Sequence, residues 1–413
     1  MYDYLIIGAG ISGIGAAQSI SLENKNFLIL EKNNTIGGHQ NTMNITDNCH
    51  VDTAFIYGHN TYYNLLKIIK SNNLELGHHD ITFSAGDSDN NIKFNNTNTI
   101  YLNNEIERFI KIGSKLPFWW WLITLKQFLN IYKFSSDFST YVIKPALSIF
   151  FVTNNSYNKP AYVVVKMILG HWITLSPLYE KPKLWYVKEG NQKIIENIIK
   201  NYNLQNNIKT NSGVISVEKK NNFYIIKTTK NIYKSRKIIF SVEPNIIKKI
   251  FINPTYIQNF IINWGCNNTE PCYGILHNYT NEIPPNINTK YYFKNYENTW
   301  KLTGQLDCNV YKTISPTKIT SIPSSNIIKE YYYVHPKQNI LVMILVASLF
   351  TQLAETDSFY LCGTWTTILS HEEAYLSGLK TGDRALNSYN YNILFRVLIC
   401  FYTFINIIIK LII

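Results

Sequence analysis

The stretch "YDYLIIGAGISGIGAAQSI" (residues 2–20) decides how this chain is read. Residues 4–7 form a short apolar run of the kind that makes a buried parallel strand. Gly8, Gly10 and Gly13 follow with the spacing G-x-G-x-x-G, and Gly15, Ala16 and Ala17 continue with side chains small enough for close helix packing. Each glycine has its own task in such a turn. Gly8 permits the bend, Gly10 lets backbone approach a pyrophosphate, and Gly13 lets the helix lie against the strand. The free N–H groups of the helix start, carried by Ile11, Ser12 and Gly13, then face the phosphates. Alone the motif is a weak signal. It gains weight from "NFLILEK" (26–32), a second apolar strand ending in Glu31 and Lys32. A carboxylate at Glu31 can accept both hydroxyls of an adenosine ribose, and it disfavours a 2′-phosphate there. Residues 2–32 therefore predict a dinucleotide-binding unit within an α/β protein.

Further along, "IGGHQNT" (36–42) poses a narrower question. Two glycines beside a histidine make either an ordinary turn or a point where backbone closes on a ligand. His39 is correspondingly either a ligand contact or a turn-stabilising side chain. No Ser/His/Asp order, metal triad or phosphate-binding lysine loop competes for the chemistry, and a second G-x-G-x-x-G is missing.

The bulk properties narrow the partners. The 413 residues carry a net charge of +12, with 46% hydrophobic and 14% aromatic residues. The lysines are scattered, the tightest cluster being "YKSRK" (233–237), so a solvated surface or attraction to anionic lipid ranks ahead of nucleic acid. The six cysteines form no C-x-x-C pair, so no metal site is expected, and reduced thiols in a cytoplasmic compartment are the simplest account.

The glycine pair belongs to a longer pattern. "EKNNTIGGHQNT" (31–42), "HVDTAFIYGHNTYYNLLKIIKSNNLE" (50–75), "LWYVKEGNQKIIENII" (184–199), "GILHNYT" (274–280), "EYYYVHP" (330–336) and "FYLCGTWTTILSHEEAYLSGLKTGDRAL" (359–386) occur in order. Together they resemble a family of predicted NAD/FAD-binding proteins related to the flavin-containing amine oxidases. The chain departs from that pattern at Ala54, Tyr63, Glu189, Asn191, Leu369, Ser370 and Ala374.

The resemblance implies FAD as cofactor. Its fold is an FAD/NAD(P)-binding Rossmann-like domain of the amine-oxidase or glutathione-reductase type with an inserted α+β substrate domain. The FAD domain would take residues 1–75, 185–250 and 357–390, and the substrate domain residues 76–184 and 251–356. Gly37, Gly38, His39, Asn41 and Thr42 would lie along the diphosphate and ribityl chain, and Val214 near the adenine. A strand would end at Gly363, and a short loop would lead through His371, Glu372 and Glu373 to a helix starting at Ser377-Gly378. That helix would point its positive end at the flavin. His371 and Glu372 are the candidate catalytic side chains. His171, His277 and His335 read instead as satisfied core histidines.

Two features point to an apolar substrate and a membrane surface. "KLPFWWWLITLKQFLNIYKF" (115–134) sets Trp119, Trp120 and Trp121 among lysines, at a level suited to a membrane interface. "ILVMILVASLF" (340–350) is too short to span and reads as a buried helix. Residues 391–413 read as an apolar C-terminal helix that associates with a membrane or docks on the protein's own surface. The expected function is an FAD-dependent oxidoreductase, a desaturase or dehydrogenase of a hydrophobic or lipid-like substrate. The alternatives are an amine oxidase releasing hydrogen peroxide and a catalytically degenerate flavin-binding interaction protein at a membrane.

Overall fold

The computed structural model describes residues 1–387 apart from 48, 79–80, 99–101, 155, 171–174, 176–183, 286, 307, 348–349 and 368–369. His171, Leu369 and the segment 391–413 lie outside the described residues.

The first apolar run becomes the strand Tyr2–Ile7, and the glycine-rich turn leads into a helix at Ile11–Ser21 whose residues from Ile11 to Ile20 are all buried. The strand sits in an eight-stranded sheet, paired in parallel with Phe27–Leu30 on one side and Ile232–Phe240 on the other. Ile232–Phe240 also pairs in parallel with Phe359–Leu361, so the last described strand returns beside the first. From there the closing helix, His371–Asn387, packs along the first helix. Glycines permit the close approach: a Cβ on Gly378 would stand 2.0 Å from Ser12 O, and one on Gly382 would stand 2.6 Å from Ala16 O. Polar contacts pin the pair, with Ser19 Oγ donating to Leu379 O at 3.0 Å and Tyr375 Oη donating to Gln18 Oε1 at 2.6 Å.

A seven-stranded sheet forms the second layer, in the order Ile327–Pro336, Thr269–His277, Tyr311–Ser315, Trp300–Gln305, Tyr291–Asn295, Phe83–Gly86 and Ile92–Asn95. Helices from residues 103–169 cover one of its faces and share its core through Phe109, Phe128, Phe138, Phe293 and Trp300. Residues 251–267, expected with the substrate portion, pack instead on the eight-stranded sheet. Phe251, paired with Val217 of that sheet, joins the cluster around Phe240 and Phe359 together with Ile261 and Ile262 of the helix Tyr256–Asn267. The run at 340 forms the helix Ile340–Ala347, with Val342, Met343, Ile344 and Val346 buried. No helix of the described residues is long and apolar enough to cross a membrane.

The cysteines depart from expectation. Cys49 and Cys308 form a disulfide across a sequence separation of 259, while Cys266, Cys272 and Cys362 are free. The expectation of a fully reduced set does not hold, because the fold brings the exposed turn that carries Cys308 onto Cys49, which is buried with Val51, Leu276 and Val310.

Candidate functional site

The glycine-rich turn has the geometry its residue types require. Gly8 has φ +102, and a Cβ there would meet Ser241 O at 2.6 Å, while a Cβ on Gly13 would meet Gly8 O at 2.0 Å. Gly10 is different: a Cβ there would have nothing within 4 Å. Beside this open space starts a helix with no acid in its first turn, and the N–H groups of Ile11, Ser12 and Gly13 form its positive end. Glu31 is buried; its Oε2 accepts from Ala9 N at 2.9 Å and its Oε1 from Asn33 N at 2.9 Å. Each oxygen keeps a further lone pair, so the carboxylate can brace the turn and still accept from a ligand. Lys32 Cβ lies 3.5 Å from the place a Gly213 Cβ would take, which sets Lys32 beside the start of the strand Val214–Lys220.

The glycine pair closes on this turn. Gly37 N donates to Ala9 O at 3.0 Å, Gly37 and Gly10 form a β-bridge, and a Cβ on Gly38 would reach Gly10 Cα at 3.4 Å. Asn41 and Thr42 have structural partners. Asn41 O accepts from Thr53 N, and Thr42 Oγ1 donates to Asp52 Oδ1 at 2.5 Å while accepting from Gln192 N at 3.1 Å. The altered segment Glu189-Gly190-Asn191 forms a junction with the segment that follows the glycine pair. A Gly190 Cβ would strike Thr42 Cγ2 at 2.2 Å, and buried Asn191 donates Nδ2 to Phe55 O and Ile56 O at 2.9 Å each. Asn191 N donates to Asp52, whose carboxyl is nevertheless pushed up to about 6 by burial.

At the other end, Gly363 (φ +124) donates its N–H to Ser377 Oγ at 3.1 Å. The closing helix starts at His371, a turn and a half before the expected Ser377-Gly378, because Ser370 Oγ accepts from Glu373 N as a cap. Glu372, expected as catalytic, is committed elsewhere. Its Oε1 accepts from Asn64 N at 2.8 Å and Asn64 Nδ2 at 2.6 Å, and its Oε2 accepts from Leu65 N at 3.1 Å. It thus caps the helix Tyr63–Ser71 from outside, a placement favoured by that helix's positive end. Replacing Glu372 with alanine should cost about 2–3 kcal/mol by leaving those donors buried without an acceptor. Urea unfolding would measure this, and an unchanged midpoint would contradict the capping role.

Between the two layers lies a cavity of about 500 Å³. Strand alternation chooses its floor: Cys272, Lys312, Ile314, Leu302, Tyr331, Tyr333 and His335 are register partners or same-face neighbours in the seven-stranded sheet. Gly274 makes room for Tyr331, whose ring carbons lie 2.0 Å from where a Cβ would be. The walls are Phe150, Val163 and Met167 on one side and His39 and His371 on the other. His371 stacks on Phe55 with centroids 4.0 Å apart, and His39 sits edge-on to Tyr333 at 4.3 Å and 6.4 Å from His371. Burial pushes His39 down to about 4 and His335 to about 3, and holds His371 well below the usual imidazole range, with neighbouring cations reinforcing the first two. All three rings are therefore neutral at physiological pH. His277 is a satisfied core histidine, bonded to Thr313 Oγ1 at 2.8 Å, whereas His335 is not: it lines the cavity and its Nδ1 has no partner. Among the described residues no group of His, Cys, Asp and Glu could hold a metal ion.

Comparison with known proteins places this arrangement. Residues 6–71 match the family model of the NAD(P)-binding Rossmann-like domain. A CLA-producing fatty acid isomerase from P. acnes superimposes with a TM-score of 0.67, at 13% identity over 94% of this chain and 99% of that one. Cyclohexylamine oxidase from Brevibacterium oxydans IH-35A gives 0.61 at 12% identity over 97% and 99%. A triple mutant of putrescine oxidase with redesigned cofactor binding gives 0.62 at 12% identity over 94% and 99%. The chain has the amine-oxidase fold. No curated protein matches its sequence. Within the amine-oxidase fold, Lys312 and Lys159 are cavity residues that sequence reading missed. Each is one lysine among many in a strand or loop, and only strand register or helix packing turns it inward.

Proposed function

We propose that the protein is an FAD-dependent oxidoreductase acting on a hydrophobic, lipid-like substrate. The observation that carries the reading is the apolar cavity, one wall of which sets His39, beside the glycine pair, next to His371 at the start of the closing helix. The residues present fit FAD. Open space beside Gly10 and the N–H groups of Ile11, Ser12 and Gly13 suit the diphosphate, and Glu31 retains lone pairs for the ribose. Lys32 and Val214 would flank the adenine side, with Gly37, Gly38, His39 and the backbone of Asn41 and Thr42 along the chain between. Gly363, Glu373 and Ser377 would border the flavin end. Bound there, FAD would supply the hydride acceptor. The protein's share is to exclude water with aromatic walls and to hold the substrate with neutral donors and acceptors. His371, uncharged and fixed against Phe55, can hydrogen-bond a substrate as a neutral ring but has no proton to give from a cationic form.

The neutral rings suit an uncharged reacting carbon. The amine-oxidase alternative, suggested by the neighbours' activities, is opposed by electrostatics: Lys312 and Lys159 both line the cavity and would repel an ammonium substrate. A membrane surface as substrate source is supported by exposed Phe118, Trp119, Leu122 and Ile131 near Lys115 and Lys126. The test is spectroscopic. Protein as purified should release FAD on denaturation, and anaerobic acyl lipids should bleach its flavin band while amines leave it unchanged. Colourless protein would overturn the cofactor, and bleaching by amines alone would overturn the substrate class.

A further inference from the structure

Lys312 stands on the cavity floor with 7% of its surface exposed, and among the described residues its ammonium makes no hydrogen bond or ion pair. Its Nζ lies 5.6 Å from the centroid of Tyr331, whose own hydroxyl is buried with no partner among the described residues. Among the described residues no anion is bonded to this ammonium. Cys272 is held as a neutral thiol, burial pushing it up to about 12, and His39 and His335 are neutral rings. Asp52, the nearest carboxyl by electrostatic influence, is occupied by Thr42 Oγ1 and Asn191 N. Lys159 also lines the cavity, held closer to a ring, with its ammonium 4.3 Å over Phe151 and Glu270 acting on it as a neighbouring anion. An unpaired ammonium in an apolar chamber is strongly disfavoured unless something arrives to pair with it.

We infer that the cavity binds a single-chain amphiphile with a carboxylate head, the carboxylate pairing with the Lys312 ammonium and the Tyr331 hydroxyl while the chain lies against Leu302, Ile314 and Met167. At this point of the floor the one ammonium and the one hydroxyl match a monoanion. The inference rests on the proposed reading of the cavity as the substrate site, but it does not depend on flavin chemistry.

The test is calorimetric titration of the full-length protein with laurate and with dodecan-1-ol at pH 7. Wild type should prefer laurate by at least about 30-fold, the usual scale for a buried charge pair. In Lys312→Met the preference should vanish while dodecanol still binds as in wild type, which also reports an intact cavity. Tyr331→Phe should retain part of the preference and keeps the question open to test if Lys312→Met fails to fold. A bound carboxylate raises the lysine's pKa, so laurate binding is insensitive to pH below the free value of about 8 and weakens above it by about tenfold per unit. Dodecanol binding should stay flat across that range. Equal binding of laurate and dodecanol by wild type would overturn the inference, as would a preference that survives Lys312→Met or is lost only in Lys159→Met. Such results in a protein that still releases FAD would leave the oxidoreductase reading standing.

Discussion

Replacing Gly10 with valine is expected to give a folded protein that no longer retains flavin. The backbone at Gly10 is extended (φ −76, ψ 176), a region valine adopts readily, and its Cβ would meet nothing within 4 Å. The protein alone should lose about 1 kcal/mol, the scale of a less favourable helix cap. The branched side chain would, however, fill the space the diphosphate needs, next to N–H groups no other part of the chain can replace. Overpacking of a tight site costs about 3 kcal/mol, or roughly a hundredfold in affinity. The flavin-to-protein ratio and a thermal melt read the two effects separately. Full flavin content in Gly10→Val would move the diphosphate away from this turn. The neighbouring Gly13 offers the contrast: there a Cβ would collide with Gly8 O, so a valine should break the fold itself.

Reducing the Cys49–Cys308 bond should destabilise the protein by about 5 kcal/mol, near the upper end for disulfides. The bond closes a loop of 259 residues, and the entropy withheld from the unfolded chain grows with that length. It also fixes the hairpin Thr42–Thr46/Cys49–Asp52, which carries Thr42 and Asp52, against the turn between the floor strands Trp300–Gln305 and Tyr311–Ser315. Denaturant curves with and without reductant would measure the effect. Superimposable curves, or six titratable thiols in unreduced protein, would contradict the linkage.

The parts legible in sequence are those where backbone geometry admits few residue types. Gly8 and Gly13 declare a turn because any side chain there meets backbone, and Glu31 declares itself by ending a strand. Gly37 and Gly38 belong with them, since they touch the first turn directly. The parts that stayed hidden depend on partners far away in the chain. Glu372 sits in a motif that suggested chemistry, yet its acceptors are spent on a helix start some 308 residues earlier. Asn191 occupies the place of a missing glycine, and its importance lies in four backbone contacts that no local pattern announces. Lys312 looks like any lysine in an alternating strand until the register with Leu276 and Gly304 turns it toward the cavity.

The packing of the closing helix on the first helix has a consequence for synthesis. The first strand, its glycine turn and its helix leave the ribosome early, yet their small-residue face is completed only by Gly378 and Gly382. The central strand Ile232–Phe240 likewise waits for Phe359–Leu361. Until nearly the last described residue is made, the nascent chain holds an apolar helix face and an unpaired strand flank with nothing to cover them. Such non-local closure slows folding and leaves the intermediate prone to aggregation. The dinucleotide turn, translated long before the closing helix, is therefore among the last parts to be finished.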